Sequence, residues 1–571
     1  MTKRIEKQWF YQGYICLLVI GIYGYGISHI WGMCIYPDEF GYWSTAARLA
    51  GWDWSQISSL GSYYSFGYSI ILYPILLLTA DSVTAYRAAI LVNAVLMCVA
   101  SFLLQKIGEK IFPQKNKLYK VLISGISVLY PSWILYMQAT LTESMLMFMV
   151  VLVGYLFFEL LEKPTFAKGL LLVLAVGYTY TLHMRTVGLV IACGLTVLIW
   201  GILEKKHRKK VLVILSLLAA ALLLAYFGKE IVQSTIYAES NALNINDYGG
   251  QVNKVKQIFS LKGIQTIFLI TAGKVIYLTL ASGGLFVWGL WWSIKHTVKL
   301  FTNLKKQASI KSRELWSLYL VLLFLGTLGI NCIYTINSVS LDNLLYGRYL
   351  EFVAPLFVFL GGCCIKEEVK KKSDVGKVLF PYLISFFIII LCLWNEEIGR
   401  IRGIHSAVLN VFTKGEDLNP LVFVLNIGFL ALVYFLITLG ILWYINKKQG
   451  REIFLVFLLV VNVLFGVANS DSIIYVGNEN IRMDLTLLDL VSDRIEAGCE
   501  VSFLLEGDNQ WISFLQMQLR EKKIKVLKKE EINEFDTKDS ILFVYWDSKY
   551  LDVLDKRFDH KVMGDLYYLY Y

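Results

Sequence analysis

What most constrains this chain is a succession of apolar runs about twenty residues long, each closed off by polar residues. A helix rises about 1.5 Å per residue, so roughly 20 apolar residues cross the hydrocarbon layer of a bilayer. In lipid a backbone must satisfy its own hydrogen bonds, so such runs read as transmembrane helices. Only 17% of the 571 residues are charged, against about a quarter in a soluble domain. Spans are expected near 11–31, 84–105, 119–138, 141–161, 167–183, 187–203, 211–228, 270–292, 315–337, 347–365, 378–394, 420–445 and 452–468. The expected fold class is a polytopic α-helical membrane protein with about thirteen crossings.

Lysine and arginine set the orientation, because short basic loops stay inside. Lys106, Lys110, Lys115, Lys117 and Lys120 form one cluster, and Lys205, Lys206, Arg208, Lys209 and Lys210 another. Residues 295–313, 366–377 and 447–451 supply three more. With Lys3, Arg4 and Lys7 they place the N-terminus in the cytoplasm of a plasma-membrane protein and the C-terminal tail outside. The first apolar run is read as a retained helix, since no A-x-A cleavage site follows it. Segment 65–80 is apolar enough to cross, but a crossing there would put the first lysine cluster outside. It is read as an interfacial or re-entrant helix. The formal charge of +10 lies in these loops, which argues against nucleic acid as a partner. No CxxC pair occurs, so neither a zinc site nor a disulfide framework is expected.

Beyond residue 469 the composition changes. Strands are expected at 501–505, 524–527 and 541–546, and a helix at 509–522. The chain therefore divides into a membrane domain, 1–469, and a small extracytoplasmic α/β domain, 470–571.

Four polar features fall at helix ends on the side away from the basic loops. Tyr36-Pro37-Asp38-Glu39 follows the first helix. Its acids either start a short helix, or one serves as a general base or metal ligand. Thr140-Leu141-Thr142-Glu143 is either a capping box or a second carboxylate facing the same cavity. Arg185, in His183-Met184-Arg185, and Arg348, in Tyr346-Gly347-Arg348-Tyr349, either snorkel to headgroups or grip a phosphate by paired hydrogen bonds. Two carboxylates and two arginines on one face suit transfer from a lipid-phosphate donor, with the cations stabilising the departing phosphate. An ion-coupled transporter would instead carry charges near the midplane, where Lys274 is the main candidate.

This order of features resembles the GT-C glycosyltransferases: an acidic pair after helix one, a later glutamate before an apolar helix, a membrane-edge arginine and a late Arg-Tyr step. The likeness is nearest to bacterial relatives of the protein O-mannosyltransferases and aminoarabinose transferases, and covers about the first 470 residues. The resemblance implies a sugar donor linked to polyprenyl phosphate. It further implies Asp38 as catalytic base with Glu39 beside it and Glu143 as the second acidic site. Arg185 and Arg348 would lie near the donor phosphate, with Tyr349 in support. Arg185-Thr186 stands where the family has Arg-Pro, and Tyr63-Tyr64-Ser65-Phe66-Gly67-Tyr68 where many aminoarabinose transferases have Lys-Pro-Pro. No aminoarabinose reaction is therefore assigned. Metal use varies within the fold; Mg or Mn held by Asp38 and Glu143 is the candidate. The expected function is an integral membrane glycosyltransferase moving a sugar to a glycan, lipid or protein acceptor at the outer face. The alternatives are an exporter of a lipid-linked glycan or lipid, and a scaffold for envelope assembly.

Overall fold

The computed structural model describes residues 2–61, 63–237, 251–336, 340–368, 405–409, 451–506, 510–533, 539–564 and 567–571, with 383–384, 387 and 535 besides. The span expected at 420–445, the stretch 241–250, and all of the span expected at 378–394 except residues 383–384 and 387 lie outside the described residues. Among the described residues, eight helices are long and apolar enough to cross a membrane, or nine with one bent pair counted as a span.

The first half of the bundle follows the hydropathy pattern. Helix α1 (Thr2–Ile27) is followed by two short helices, α2 (Asp38–Leu49) and α3 (Ser55–Ser58). Next comes α4 (Ser69–Leu78), whose ten residues span about 15 Å, half the hydrocarbon layer. It packs on α2 rather than crossing. Helix α5 (Ser82–Ile111) is capped by Asp81, which accepts from Thr84 N at 2.8 Å. Pro131 starts a new helix and bends the next pair by 60°, giving α6 (Lys117–Val128) and α7 (Pro131–Met137). Helices α8 (Thr142–Glu162), α9 (Phe166–Leu182), α10 (Val187–Leu203) and α11 (Arg208–Ile236) complete this half.

One span is corrected. The run at 270–292 is not a single helix: α13 (Leu261–Ala281), which follows α12 (Gln251–Ile258), ends before Ser282-Gly283-Gly284, and α14 is Leu285–Lys305. Both glycines hold positive φ, 65° and 75°, a conformation that costs them no Cβ clash. Hydropathy alone does not see such a break. Helix α15 (Ser312–Thr335), short α16 (Leu341–Leu345) and α17 (Ala354–Glu368) follow, and α18 (Arg451–Ser470) passes through a π-helical turn, Asp471–Tyr475, into α19 (Val476–Asp489).

The C-terminal unit is a five-stranded sheet in the order β2-β1-β3-β5-β4. Strands β1 (Glu500–Leu504), β2 (Ile524–Leu527) and β3 (Ser540–Tyr545) are parallel, with helix Gln510–Leu519 crossing from β1 to β2. Strands β4 (Lys561–Met563) and β5 (Tyr567–Tyr570), which the sequence reading does not anticipate, add an antiparallel edge.

This unit is docked on the segment between α1 and α5. Arg520 donates to Thr79 O at 2.8 Å and to Leu76 O, and its own carbonyl accepts from Trp54 Nε1 at 2.6 Å. Lys523 pairs with Asp53 at 2.6 Å, holding that carboxyl down at about 2. Asn478 Oδ1 accepts from Trp31 N and Gly32 N at 2.7 and 2.9 Å. Hydrogen bonds from a charged group contribute about 1.5–3 kcal/mol. Arg520→Ala is therefore expected to lower the thermal midpoint of the detergent-solubilised protein by a few degrees and to speed proteolytic release of the sheet. An unchanged midpoint and digestion pattern would mean the sheet is held elsewhere.

Candidate active site

At the end of the bundle opposite the basic connections, four charged side chains from distant parts of the sequence meet. Asp38 lies in the first turn of α2, where an acid suits the exposed N–H groups. Glu143 lies in the first turn of α8, Arg185 in the 3₁₀ turn Met184–Thr186 before α10, and Arg348 in the turn between α16 and the 3₁₀ turn Glu351–Val353. Arg348 Nη2 donates to Asp38 Oδ2 at 2.5 Å, and its Nε donates to Glu143 Oε1 at 2.6 Å. The same Oε1 accepts from Arg185 Nη2 at 2.9 Å. Charges alternate along the row Asp38–Arg348–Glu143–Arg185.

Burial is graded along it. Side-chain exposure is 21% for Asp38, 8% for Arg348, 1% for Glu143 and 3% for Arg185, so solvent reaches the row from the Asp38 end. Charges so deep persist only when paired. The pairing is incomplete: among the described residues, Arg185 Nε and Nη1 and Glu143 Oε2 are buried without a hydrogen-bond partner. Arg185 lies over the Tyr349 ring at 4.7 Å and the Phe352 ring at 5.6 Å, leaving the free edge of its guanidinium as a ready donor pair. His183 Nδ1 accepts from Arg185 N at 3.2 Å.

Glu39 stands apart from this row. It is fully buried and accepts from Cys34 N, Ile35 N, Tyr86 Oη, Thr140 N and Thr140 Oγ1 at 2.5–3.0 Å. Burial pushes its carboxyl above the ordinary carboxylate range, while the bonds from Thr140 and Tyr86 pull the other way. Its oxygens tie the start of α2 to the turn before α8. Thr140 consequently is not the cap of a capping box with Glu143. Helix α8 begins at Thr142, Thr140 serves Glu39, and Glu143 serves the two arginines.

The segment carrying Arg348 is gripped by Lys274 and by a cluster of hydroxyl groups. Lys274 Nζ donates to Asn343 O at 2.9 Å and Tyr346 O at 2.6 Å. One turn along α13, Tyr277 donates to Glu351 Oε1 at 2.6 Å. Glu351 also accepts from Tyr130 at 3.1 Å, Tyr136 at 3.0 Å and Ser132. A Cβ on Gly347 would collide with the Tyr277 ring. Lys274, the midplane charge that a transporter would use, is thus engaged by backbone carbonyls.

The two carboxylates offered as metal ligands both face Arg348, whose guanidinium fills the space between their oxygens. Among the described residues no three His, Cys, Asp or Glu side chains gather as a metal site. This arrangement does not fit a divalent cation.

These features define a polytopic membrane protein of the GT-C fold. Two solved structures carry that statement, both of ArnT from Cupriavidus metallidurans. The apo form is 13% identical, with TM-score 0.51 over 98% of this chain and 97% of that one. The form bound to undecaprenyl phosphate is 12% identical, with TM-score 0.51 and 98% of each chain covered. The arabinosyltransferase EmbB from Mycobacterium smegmatis aligns at 12% identity and TM-score 0.36, over 80% of this chain and 41% of that one. No sequence-family model and no curated protein sequence matches the chain.

Proposed function

We propose that the protein transfers a sugar from a polyprenyl-phosphate carrier to an acceptor at the outer face of the plasma membrane. The observation carrying this reading is the row of alternating charges that ends in a buried guanidinium with free donors. A phosphodiester brings one negative charge, which Arg185 and Arg348 neutralise through N–H groups set in a fork. The fold likeness to a protein solved with undecaprenyl phosphate supports the same class of donor.

In this reading the acceptor oxygen attacks the anomeric carbon. The bond from that carbon to the phosphate oxygen breaks, and its electron pair stays on the phosphate. Asp38 takes the acceptor proton. The carrier leaves as a phosphate monoester with one more negative charge than the donor, and that developing charge falls beside the two arginines, where preorganised donors act most strongly. The incoming phosphate competes with Asp38 for Arg348 and frees the carboxylate to act as base. Glu143 holds both guanidinium groups in place. Glu39, Lys274 and Glu351 are positioning residues for Asp38 and Arg348.

The test is a transfer assay in liposomes, using radiolabelled undecaprenyl-phosphate sugars and a crude envelope extract as acceptor. Label is expected to move into the acceptor with wild type and not with an Asp38→Asn, Glu143→Gln double variant. Label that crosses the bilayer equally with both proteins, with no covalent product, would make the protein an exporter.

A further inference from the structure

The polar layer around Arg185 extends to a residue on α15. Asn331 is 1% exposed, and among the described residues neither its Oδ1 nor its Nδ2 has a hydrogen-bond partner. Buried amides are nearly always paired, because desolvating both ends without compensation is costly. Such an amide inside a bundle points to a group that arrives from outside.

Its level in the bundle follows from how α10 and α15 pack. A Cβ on Gly188 would lie 2.6 Å from Gly326 C and 2.8 Å from Thr327 N, so the two backbones touch there. Further along α10, Cys193 comes within electrostatic reach of Tyr319 on α15; the helices are therefore antiparallel. From Thr327, one turn of α15 leads to Asn331, a rise of about 6 Å. From Gly188, three residues in the same direction lead to Arg185, a rise of roughly 5 Å. Asn331 and Arg185 thus stand at one level on facing elements. Tyr334, three residues on and on the same helix face, has its ring 4.9 Å from Tyr349, which underlies Arg185. Asn331 therefore stands at the level of Arg185 and of the Glu143 carboxylate that Arg185 holds.

We infer that Asn331 determines donor specificity by hydrogen-bonding a hydroxyl of the carrier-linked sugar, a role that rests on the transferase reading above. The chemistry separates it from Arg185. A phosphate oxygen only accepts, so a guanidinium is its natural partner. A carboxamide both donates and accepts, as does a hydroxyl. Together, Arg185 and Asn331 read the two halves of a sugar phosphate.

The experiment uses the full-length protein in nanodiscs and two variants: Asn331→Leu, which keeps the branched shape but removes both polar atoms, and Asn331→Thr, which puts a single hydroxyl in place of the amide. Binding is measured for undecaprenyl phosphate alone and for the same lipid carrying mannose, glucose or arabinose. For Asn331→Leu, affinity for the sugar lipid that wild type prefers should fall roughly tenfold, the scale of one or two hydrogen bonds. Affinity for the bare lipid should stay within about twofold. Asn331→Thr should fall between. The thermal midpoint of unliganded Asn331→Leu should equal or exceed wild type, because no bond within the protein is lost; an asparagine needed for the fold would lower it. Equal effects on both lipids would assign Asn331 to the phosphate or to packing. No effect on either would assign it to a buried water. Both results overturn the inference and leave the transferase reading standing. A wild type that binds neither lipid would overturn the two together.

Discussion

Glu143→Gln will destabilise the protein and abolish transfer at the same time. The carboxylate it removes sits between two guanidinium groups, Arg348 at 2.6 Å and Arg185 at 2.9 Å, all three nearly withdrawn from solvent. The amide keeps the shape but not the charge, so two cations face each other across a neutral group. Removing one partner of a buried ion pair costs about 3–5 kcal/mol, because the stranded charge keeps its desolvation penalty. Asp38 still balances part of Arg348, which places the expected loss at the lower end. A second variant separates fold from function. Glu143→Leu combined with Arg185→Met removes the inner pair as a unit, and replacing a buried pair by apolar groups is often neutral. It should recover most of the lost thermal midpoint and still transfer nothing, because the donor-phosphate contact is gone. Equal midpoints for wild type and Glu143→Gln would show that the row is not electrostatically linked.

The sequence discloses unequal shares of this arrangement. Helices α8, α10 and α15 lie within a few residues of their apolar runs, because hydropathy is a local property and the bilayer fixes the length. The break at Gly283-Gly284 escapes that logic, since two glycines barely disturb an apolar average while ending a helix. Strands β4 and β5 escape it too: three and four residues around Gly564 are too short for a period to register. Asp38, Glu143, Arg185 and Arg348 stand out because ionisable residues at the ends of apolar helices are few and expensive. Their assembly around Arg348 is tertiary, spanning 310 positions between Asp38 and Arg348. Glu39 and Asp38 are neighbours in sequence, yet one helix step turns Glu39 into the interior, onto Thr140 and Tyr86. The hydroxyl cage of Glu351 draws on Tyr130, Ser132 and Tyr136 from one segment and Tyr277 from another. No spacing rule joins them. Asn331 has the least signal of all, a lone amide within an apolar run, and only its missing partners single it out.

Asp38→Asn should reduce transfer about a hundredfold or more, the usual scale for losing a general base, while leaving the fold intact. Its position supports both halves of that expectation. Asp38 is the most exposed member of the row, so neutralising it strands little charge in the interior. The asparagine oxygen can still accept from Tyr64 Oη, now 3.0 Å from Asp38 Oδ1, or from Arg348. What disappears is the capacity to take a proton. Donor binding should move the other way. With no carboxylate competing for Arg348, undecaprenyl phosphate should bind as tightly as to wild type or several-fold tighter. Turnover and affinity thus shift in opposite senses, a combination that misfolding cannot produce. A variant with normal unfolding behaviour and near-wild-type turnover would take the base role away from Asp38. A variant that loses turnover and lipid affinity together would instead make Asp38 a binding group, required to aim Arg348 at the phosphate rather than to receive the proton.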